Sequence, residues 1–535
     1  MSNIKHDQGK ERKFLTIALG ILKGKLEEEG MDCEALAKCD AKKLHKFLQK
    51  VAKDYEMTYP EEDNTPKGKL YVVTYDGARK RTPAQVKLWK LEDGVAVRDF
   101  NKVNGKVAAI RLITEFDGEL NEDIPYGRYY CEVSKGSEYG IIKDTIEIGH
   151  GKTERKYHLK RFVDLSKLGW YAGDLHHHSI FSSPVYKGDD DVTESPHEVA
   201  NSMAAMGLGY GALSDHHNVL NHEEWKKEER KDFYPVVSKE ISTSNGHVMS
   251  LGVEPDVIFD IPDDDHRTDE YMRSEFKRIT DEIRQNGGLA QINHPCDLSR
   301  SISWNPAYYD MTGIFETMEI WNGSVPMIKG STNYKAYEFW LDLLKKGTYR
   351  PATTGSDTHN IKADDYDDFY ILLRNLRKVM SVLKYPQYKD EIQIINLIFE
   401  KAIPTLEKWA TTSLTSGCVR TYINVKGKLT TKKVLNALRQ GNSFLTNGPI
   451  LFYKDGRVTL MSARPLQYLR IYTPEGLYKE KKLNSKAALI KADNCVFYDY
   501  SFELKDKKLF TKDWFYITAV DDCTNQAFMN PVFNV

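Results

Sequence analysis

Closely spaced cysteines and long apolar runs are both absent from this 535-residue chain. The seven cysteines include no Cys-x-x-Cys pair. This disfavours a zinc ribbon or a disulfide scaffold and fits a reducing compartment. No apolar run approaches the roughly 20 residues that span a bilayer. The apolar run at residues 14–22 is followed by charged residues rather than a small-residue cleavage site, which disfavours a signal peptide. We therefore expect a cytoplasmic protein without a membrane contact.

An excess of charge of either sign is also absent. The chain has 76 Lys+Arg and 77 Asp+Glu, for a formal net charge of −1. This balance argues against a protein that coats nucleic acid or an anionic membrane, although it leaves room for a local basic pocket. A hydrophobic content of 41% is typical of globular proteins. We expect a small-molecule or phosphoester substrate, with the oligomeric state left open.

Hydrophobic patterning divides the chain into four regions. Helical spacing predicts an N-terminal helical hairpin within residues 1–65, where packing on the protein itself is favoured over partner binding. Short strands and turns predict a β-sandwich-like accessory domain over residues 66–160. Alternating strands and helices over residues 165–450 predict an α/β region whose parallel sheet is open or closed into a barrel. Residues 361–410 interrupt it as a helical insertion, and residues 451–535 are predicted to form a C-terminal β-rich domain.

Local signals place individual elements in the alternating region. Ser195, Pro196 and Glu198 form a capping-box pattern with proline at the first helical position, which predicts a helix ending at Gly207. Further helices are predicted before Gly287, Gly347 and Gly441. Apolar strands are predicted at residues 211–214, 236–241, 289–293 and 317–321.

Histidine is concentrated in one part of the chain. Eleven of the 15 histidines lie between His176 and His359, where an even spread would place about five. Many of them stand at or just after a predicted strand, together with acidic residues. Because the carboxyl ends of parallel strands share one edge or barrel mouth, we expect these segments to converge. The segments are residues 173–179, 214–218, 239–247, 293–295 and 355–359.

Residue spacing in these segments fits metal binding. Residues i and i+2 of a strand point the same way, so His176 and His178 project together, as do Asp357 and His359. Imidazoles and carboxylates without thiolates favour Zn, Mn or Fe over Mg or Ca. Each motif alone is weak, but five buried polar segments without a common partner would be costly. We therefore expect two to three divalent transition metal ions. The remaining histidines of the window are expected to be incidental, namely His177, His197, His217, His222 and His266.

Taken together, these segments resemble the PHP superfamily (polymerase and histidinol phosphatase domain), and its CehA/McbA-like metallohydrolase branch in particular. Residues 319–322, 434–448 and 530–533 share the resemblance, which covers residues 165–360 strongly and 410–535 moderately. It implies a distorted (β/α)7 PHP-type barrel flanked by β-sandwich-like domains.

The resemblance also implies a role for each donor. His176, His178, Glu240 and Asp357 would hold a first metal, and Glu240 would bridge to a second one held by His247 and His294. His216 and His359 would reach a third position, with Asp215 as a supporting or ligating residue. Where the family often carries aspartate, five residues after His178, this chain has Ser183. Asp189, Asp190 or Asp191 could take its place.

Three functions remain open at this stage. The leading one is phosphoester hydrolysis by metal-activated water, with Asp215, His216 or His359 as catalytic proton donor. The same centre could hydrolyse an ester, amide or carbamate. A catalytically inactive binding scaffold is the alternative from another class.

Three basic residues lie near the donor segments in the sequence: Lys239, Arg300 and Arg350. They could clamp a phosphate as substrate-binding residues, because cationic side chains form charge-assisted hydrogen bonds with it. Solvated surface charge is an equally good interpretation.

Overall fold

The computed structural model describes residues 66–534 apart from 78–79, 92–109, 187, 189, 191, 261–267, 298–301, 324–326, 328, 330, 362–415, 484–485 and 493–494. Within this part the chain is a mixed α/β protein. The N-terminal hairpin predicted within residues 1–65 and all but the first residue of the insertion predicted at 361–410 lie outside the described residues. None of the helices in the described part combines the length and apolar character needed to cross a membrane.

Two four-stranded sheets are formed by residues 67–159. Their strands are β1 (Lys67–Asp76), β2 (Lys80–Arg81), β3 (Gln85–Lys90), β4 (Ile110–Ile113), β5 (Glu119–Pro125), β6 (Gly127–Ser134), β7 (Ile142–Ile148) and β8 (Lys152–Leu159). β1 pairs with β2, β5 and β8, and the second sheet has the order β4-β3-β6-β7. Leu70 and Val72 of β1 share one buried core with Val86 and Leu88 of β3. The two sheets therefore bury their apolar faces in the same core.

Seven further strands, named here the central row, carry the polar segments. They are β9 (Trp170–Asp174), β10 (Tyr210–Leu213), β11 (Tyr234–Ile241), β12 (Val248–Leu251), β13 (Leu289–Ile292), β14 (Thr317–Asn322) and β15 (Ala352–Gly355). Each strand pairs with the next, and the pairs are parallel except at β12, which is antiparallel to both neighbours. This departs from the expected parallel sheet because the connection from β11 to β12 is too short for a parallel crossover.

The two ends of the central row lie close together. His177 after β9 forms a parallel bridge with Thr358 after β15. The Asp357 N–H donates to the His176 carbonyl at 2.8 Å. Gly355 permits this approach, because a Cβ there would lie 2.2 Å from the Cβ of His176. The segments that follow β9 and β15 are thus brought side by side.

Five α-helices accompany these strands in the described residues. They are α1 (Pro196–Ala205), α2 (His222–Lys227), α3 (Asp269–Gln285), α4 (Thr332–Lys345) and α5 (Thr431–Arg439). The capping box predicted at the start of α1 is confirmed, because the Ser195 side chain accepts from the Glu198 N–H and the Glu198 side chain accepts from the Ser195 N–H. Short 3-10 helices occupy Leu165–Leu168, Ile180–Ser182, Pro184–Tyr186, Pro306–Ile314 and Leu509–Thr511.

The C-terminal part of the chain extends the same sheet beyond β9. Its strands are β16 (Arg420–Asn424), β17 (Ser443–Thr446), β18 (Ile450–Lys454), β19 (Arg457–Ser462), β20 (Leu466–Thr473), β21 (Gly476–Lys482), β22 (Ala488–Ala492), β23 (Cys495–Asp499), β24 (Phe502–Glu503), β25 (Trp514–Asp521), β26 (Gln526–Met529) and β27 (Val532–Phe533). β16 pairs with β9 and is followed by β17, β26, β25, β20 and β21, while β18, β19, β22, β23 and β24 form a separate sheet. Trp170, Phe444 and Phe515 belong to one core. Residues on both sides of the expected 450/451 domain boundary therefore share one core, and the boundary itself stays a prediction.

Candidate metal centre

The ends of the central-row strands position the donor side chains. His176 and His178 follow β9, Glu240 lies near the end of β11, and Asp357 follows β15. The backbone at Asp357 and at His294, which follows β13, is left-handed, with φ of 50° and 25°. Such conformations are uncommon outside glycine and cluster at functional sites. Here the backbone itself aims two of the donors.

Glu240 lies at the centre of what we name the inner group. Its Oε2 is 3.0 Å from the Nε2 of His176, and its Oε1 is 3.0 Å from the Nε2 of His294 and 3.2 Å from the Nδ1 of His247. The Asn293 amide donates to the same Oε1 at 2.8 Å. Glu240 is only 1% exposed, so one buried carboxylate joins imidazoles on both of its sides.

Asp357 and His178 complete the inner group. The His178 Nε2 lies 3.1 Å from the Asp357 Oδ1, and the His176 Nε2 lies 3.4 Å from the same oxygen. The donor atoms form two sets, each with its atoms within 4.8 Å of one another and suited to one metal ion. The sets are His176, His178, Glu240 and Asp357, and Glu240, His247 and His294.

An outer group lies on the more exposed side. The Oδ2 of Asp190 is 3.1 Å from the Nε2 of His216 and 3.1 Å from the Nε2 of His359. With His178 these residues form another set that could hold a metal ion. The side chains of Asp190 and His359 are 21% and 24% exposed. Of the three aspartates expected to compensate for Ser183, the structure describes Asp190, which lies among the donors; residues 189 and 191 lie outside the described residues.

Other polar groups contact the second ring nitrogen of three of the imidazoles. The second ring nitrogen of His176 lies 3.0 Å from the Glu319 Oε1, that of His178 lies 3.1 Å from the Ser182 Oγ, and that of His216 lies 2.6 Å from the Ser242 Oγ. Metal-ligating histidines are commonly oriented in this way, because the outer contact fixes the tautomer and the ring plane.

Glu319 is the buried acid that sequence reasoning did not place among the donors. With His176 and His294 it forms a further potential metal set, which overlaps the others. Its signal was present in the sequence, because an acidic residue stands between the apolar Met318 and Ile320 in the buried strand β14. A charge is rarely buried there without a partner.

In the inner group, the carboxylates and the imidazoles shift each other's pKa. Burial opposes the charged form of His176, but Glu240, Asp357 and Glu319 outweigh burial and raise its pKa well above the ordinary value. Burial likewise disfavours the ionised form of Glu240, but the imidazoles outweigh it and hold its pKa well below the ordinary value. Burial and the neighbouring His359 and His216 lower the pKa of His178 to about 3. His178 is thus a neutral imidazole with a lone pair available to a metal.

No lysine or arginine among the described residues forms a salt bridge with Glu240, Glu319 or Asp190, whose ionic contacts are all with histidines. The donor chemistry therefore fits divalent cations, which would neutralise the carboxylates where the protein supplies only imidazoles.

Asp215 is the expected ligand that the structure does not place with the other donors. Its carboxylate accepts hydrogen bonds from the Ser179 N–H at 2.6 Å, the Ser182 Oγ at 2.7 Å and the Asn221 Nδ2 at 2.5 Å. Burial raises its pKa. Because its oxygens are engaged by these donors, Asp215 ties the segments after β9 and β10 together rather than facing the metal sets. Asp215 is in none of the metal sets, and the ligand and proton-donor roles expected of it stay predictions.

Two of the three expected phosphate-binding residues, Lys239 and Arg350, are not brought to the cluster. The Lys239 Nζ donates to the Asp256 Oδ1 at 2.5 Å and to the Val257 carbonyl at 3.1 Å, because successive residues of a strand face opposite sides and Glu240 faces the donors. Arg350 donates to the carbonyls of Thr312 and Gly313 at the end of β15 opposite Asp357. Arg300 lies outside the described residues.

Four of the five histidines expected to be incidental lie in the described part of the chain, and these form no part of the metal sets. His177 contacts the Ser416 Oγ at 2.8 Å, His222 the Ser238 carbonyl at 3.2 Å, and His197 the Glu228 carboxylate at 3.0 Å. His217 also lies outside the sets, and His266 lies outside the described residues.

Comparison with known proteins adds little to this geometry. No family model and no curated protein matches the chain. The Bacillus anthracis TIE protein is 17% identical over 21% of this chain and 20% of its own length, with a TM-score of 0.14. An amidohydrolase from Chromobacterium violaceum, solved with bound sulfate and no metal, is 17% identical over 35% of this chain and 87% of its own length, with a TM-score of 0.23. These TM-scores are too low to show a shared fold.

Proposed function

We propose that this chain is a metal-dependent hydrolase of the PHP type, most suited to phosphoesters, whose central row closes as a distorted (β/α)7 barrel. The observation that supports it most is the position of Glu240. Its two oxygens each lie 3.0 Å from the Nε2 of a different histidine, His176 on one side and His294 on the other. A carboxylate placed in this way suits two neighbouring divalent ions.

The residues fall into three binding sets under this proposal. His176, His178, Glu240 and Asp357 hold one ion, Glu240, His247 and His294 hold the second, and the outer group holds a third. Bound divalent ions would supply activated water and charge neutralisation for hydrolysis.

The remaining chemistry belongs to the protein side chains. His216 and His359 lie on the exposed side of the cluster, where a substrate arrives, and either one can protonate a leaving group when the outer group holds no ion. Glu319 and Ser182 fix the planes of His176 and His178, so that these rings keep their orientation during turnover.

Charge favours a phosphoester over a neutral ester. The cluster contains four carboxylates, those of Asp190, Glu240, Glu319 and Asp357. Three divalent ions would outweigh them and leave a positive site open to solvent on the side of Asp190 and His359. An anionic substrate is attracted to such a site.

The proposal is tested with protein loaded with Zn, Mn or Fe and assayed on aryl phosphate mono- and diesters, an aryl ester and an aryl carbamate. We expect turnover on at least one phosphate ester and its loss in His176→Ala. Turnover confined to the ester or carbamate would overturn the phosphoester assignment. Less than one metal equivalent, unchanged after reloading and without turnover on any substrate, would favour a binding scaffold.

A further inference from the structure

Asn322, the last residue of β14, contacts two of the acids in the metal centre. Its Nδ2 donates to the Glu319 Oε2 at 3.1 Å and to the Asp357 Oδ2 at 3.2 Å. The other oxygen of Asp357, Oδ1, lies 3.1 Å from the His178 Nε2. The amide therefore contacts one oxygen of Asp357 while the other oxygen faces the imidazoles.

A register shift in β14 brings Asn322 to the face of the sheet that carries Glu319. Successive strand residues face opposite sides, so residues three apart in a regular strand lie on opposite faces. In the pairing with β15 the register shifts between Glu319 and Trp321. As a result, Glu319 and Asn322 are opposite residues 353 and 355, which are two apart and share one face of β15. Shifts of this β-bulge type re-aim side chains beside active sites.

Asn333, in the first turn of α4, holds the backbone of Asn322 in place. The Asn322 N–H donates to the Asn333 Oδ1 at 2.9 Å, and the Asn333 Nδ2 donates to the Asn322 carbonyl at 2.9 Å. The Gly323 N–H, which follows in the chain, donates to the Gly355 carbonyl at 2.9 Å. The amide of Asn322 is thus carried by backbone that is fixed from both α4 and β15.

The Asn322 amide also completes the surroundings of Glu319. The Glu319 Oε2 accepts from the His294 N–H at 2.9 Å as well, and the Glu319 Oε1 lies 3.0 Å from the His176 Nδ1. Glu319 is fully buried, where a carboxylate without partners would be costly. Because His176 belongs to one inner set and His294 to the other, Asn322 is linked through Glu319 to a donor of each.

We propose that Asn322 is a positioning residue of the inner metal sites, which holds the Asp357 Oδ2 so that the Oδ1 is the oxygen presented to an ion. An amide suits this position because its two N–H groups satisfy two carboxylates at once. Without the amide, Asp357 can rotate until both of its oxygens face the same ion. The inference rests on the proposed function only in requiring that the inner group binds metal.

The test compares Asn322→Leu, which keeps the branched shape but removes the donor, with the wild-type chain. Co²⁺ is added to the metal-free protein as a substitute for Zn²⁺. Its affinity is measured by competition with a chelator, and its visible absorption reports its coordination. We expect the affinity to fall about 10- to 100-fold, as for other outer partners of metal ligands, and the absorption spectrum to change. Asn333→Ala should shift both quantities in the same direction but less.

Asn530→Leu is the matched control. Asn530 fixes β15 at its other end, because its Oδ1 accepts from the Ala352 N–H at 2.8 Å and its Nδ2 donates to the Ala352 carbonyl at 3.0 Å. It belongs to none of the metal sets. The control should therefore lose stability but keep the wild-type Co²⁺ affinity and spectrum. Asn322→Ala is used where Asn322→Leu fails to fold.

Wild-type affinity and an unchanged spectrum in the Asn322 variant, or the same change in Asn530→Leu, would overturn the inference. The expected change in Asn322→Leu, with no hydrolysis of any ester by the wild type, would leave the inference standing and overturn the proposed function. Hydrolysis of a phosphate ester by the wild type, with Co²⁺ affinity and spectrum unaffected by the substitution of Asn322, would do the reverse.

Discussion

Acidic side chains are buried in two parts of this molecule, and the two parts satisfy them differently. Where the N-terminal sheets meet the rest of the chain, which we name the seam, the Glu138 Oε2 lies 2.7 Å from the Arg161 guanidinium, and the Glu132 Oε2 lies 3.4 Å from that of Arg464. In the metal centre, Glu240 and Glu319 have only imidazoles as ionic partners among the described residues.

The two parts differ in the kind of basic group that faces the buried carboxylates, and this distinguishes carboxylates that stabilise the fold from those that could bind metal. A guanidinium remains protonated at any physiological pH, so the seam carries its own counter-charge. An imidazole whose pKa is near its ordinary value gives up its proton near neutrality and then offers a lone pair instead. The seam therefore pairs its carboxylates with guanidinium groups of the protein itself, whereas ions from solution would complete the metal centre under the proposed function.

The largest effect is expected from Glu240→Gln. The substitution keeps the volume but removes the charge shared by His176, His247 and His294, so at least one inner ion should be lost. Hydrolysis of the best substrate should fall about 10³-fold, on the scale of losing a group that acts directly on the transition state. Metal analysis and steady-state kinetics measure both effects, and a variant with full metal content and wild-type turnover would contradict them.

A seam substitution should act on stability and leave metal binding unchanged. Arg464→Met removes the guanidinium from the buried Glu132, and breaking a buried ion pair costs about 3 kcal/mol or more. The double variant Arg464→Met/Glu132→Gln should recover much of this loss. Denaturant unfolding with and without Zn²⁺ provides the measurement, and a change in bound metal would contradict the distinction between seam and centre.

The metal-free protein should be less stable above neutral pH than the loaded protein. The folded-state pKa of His176 lies well above its ordinary value of 6.5, because Glu240 and Asp357 outweigh burial. Its contribution to stability is complete below pH 6.5 and is lost as the pH rises through the folded value, at about 1.4 kcal/mol per pH unit.

His294, whose pKa is also raised despite burial, acts in the same direction. His178, whose pKa is about 3, changes the stability of the folded state only below pH 6.5. It therefore does not disturb the comparison above that pH. Unfolding of chelated and Zn²⁺-loaded protein between pH 6 and 8.5 checks the expectation. If the free energy of unfolding of the chelated and loaded forms changed with pH in parallel, this prediction would be wrong.

The smallest effect is expected from Lys239→Met. Lys239 pairs with Asp256, which is partly exposed, and faces away from the donors on β11. Metal content should be unchanged, and KM for the best phosphate ester should change less than about twofold, as for residues outside a site. A tenfold rise in KM at unchanged kcat would return Lys239 to the phosphate-binding role expected from its sequence position.

Much of the metal centre could be predicted from local patterns in the sequence. Strand ends located the donor segments, and the resemblance added the ligand role of Glu240. The two-residue period predicted that His176 and His178 project together, as do Asp357 and His359. The same rule should have excluded Lys239, which is adjacent to Glu240 and so faces the other side. The capping box at Ser195 was predictable for the same reason, since all its bonds are made within four residues.

What was missed depends on contacts distant in sequence. Asp215 follows a strand as the donors do, but Ser179, Ser182 and Asn221 turn it away. Asp190 is one of three consecutive aspartates, and its position beside the histidines depends on the path of the chain past Ser182. β12 was not predicted because its four residues, three of them apolar, give no sign that the strand pairs in the reverse direction.

The pairing of β16 with β9 gives the chain a property unrelated to catalysis. Tyr422 is opposite Ala172 and Ile423 is opposite Tyr171, so the two stretches of chain on either side of residues 362–415 are joined through one sheet. A backbone cut within 362–415 would leave both fragments with strands that need each other to cover their cores. Co-expressed, the fragments should assemble into one particle, and each alone should be insoluble. This would make the protein a candidate for a split reporter whose reassembly is read by metal binding.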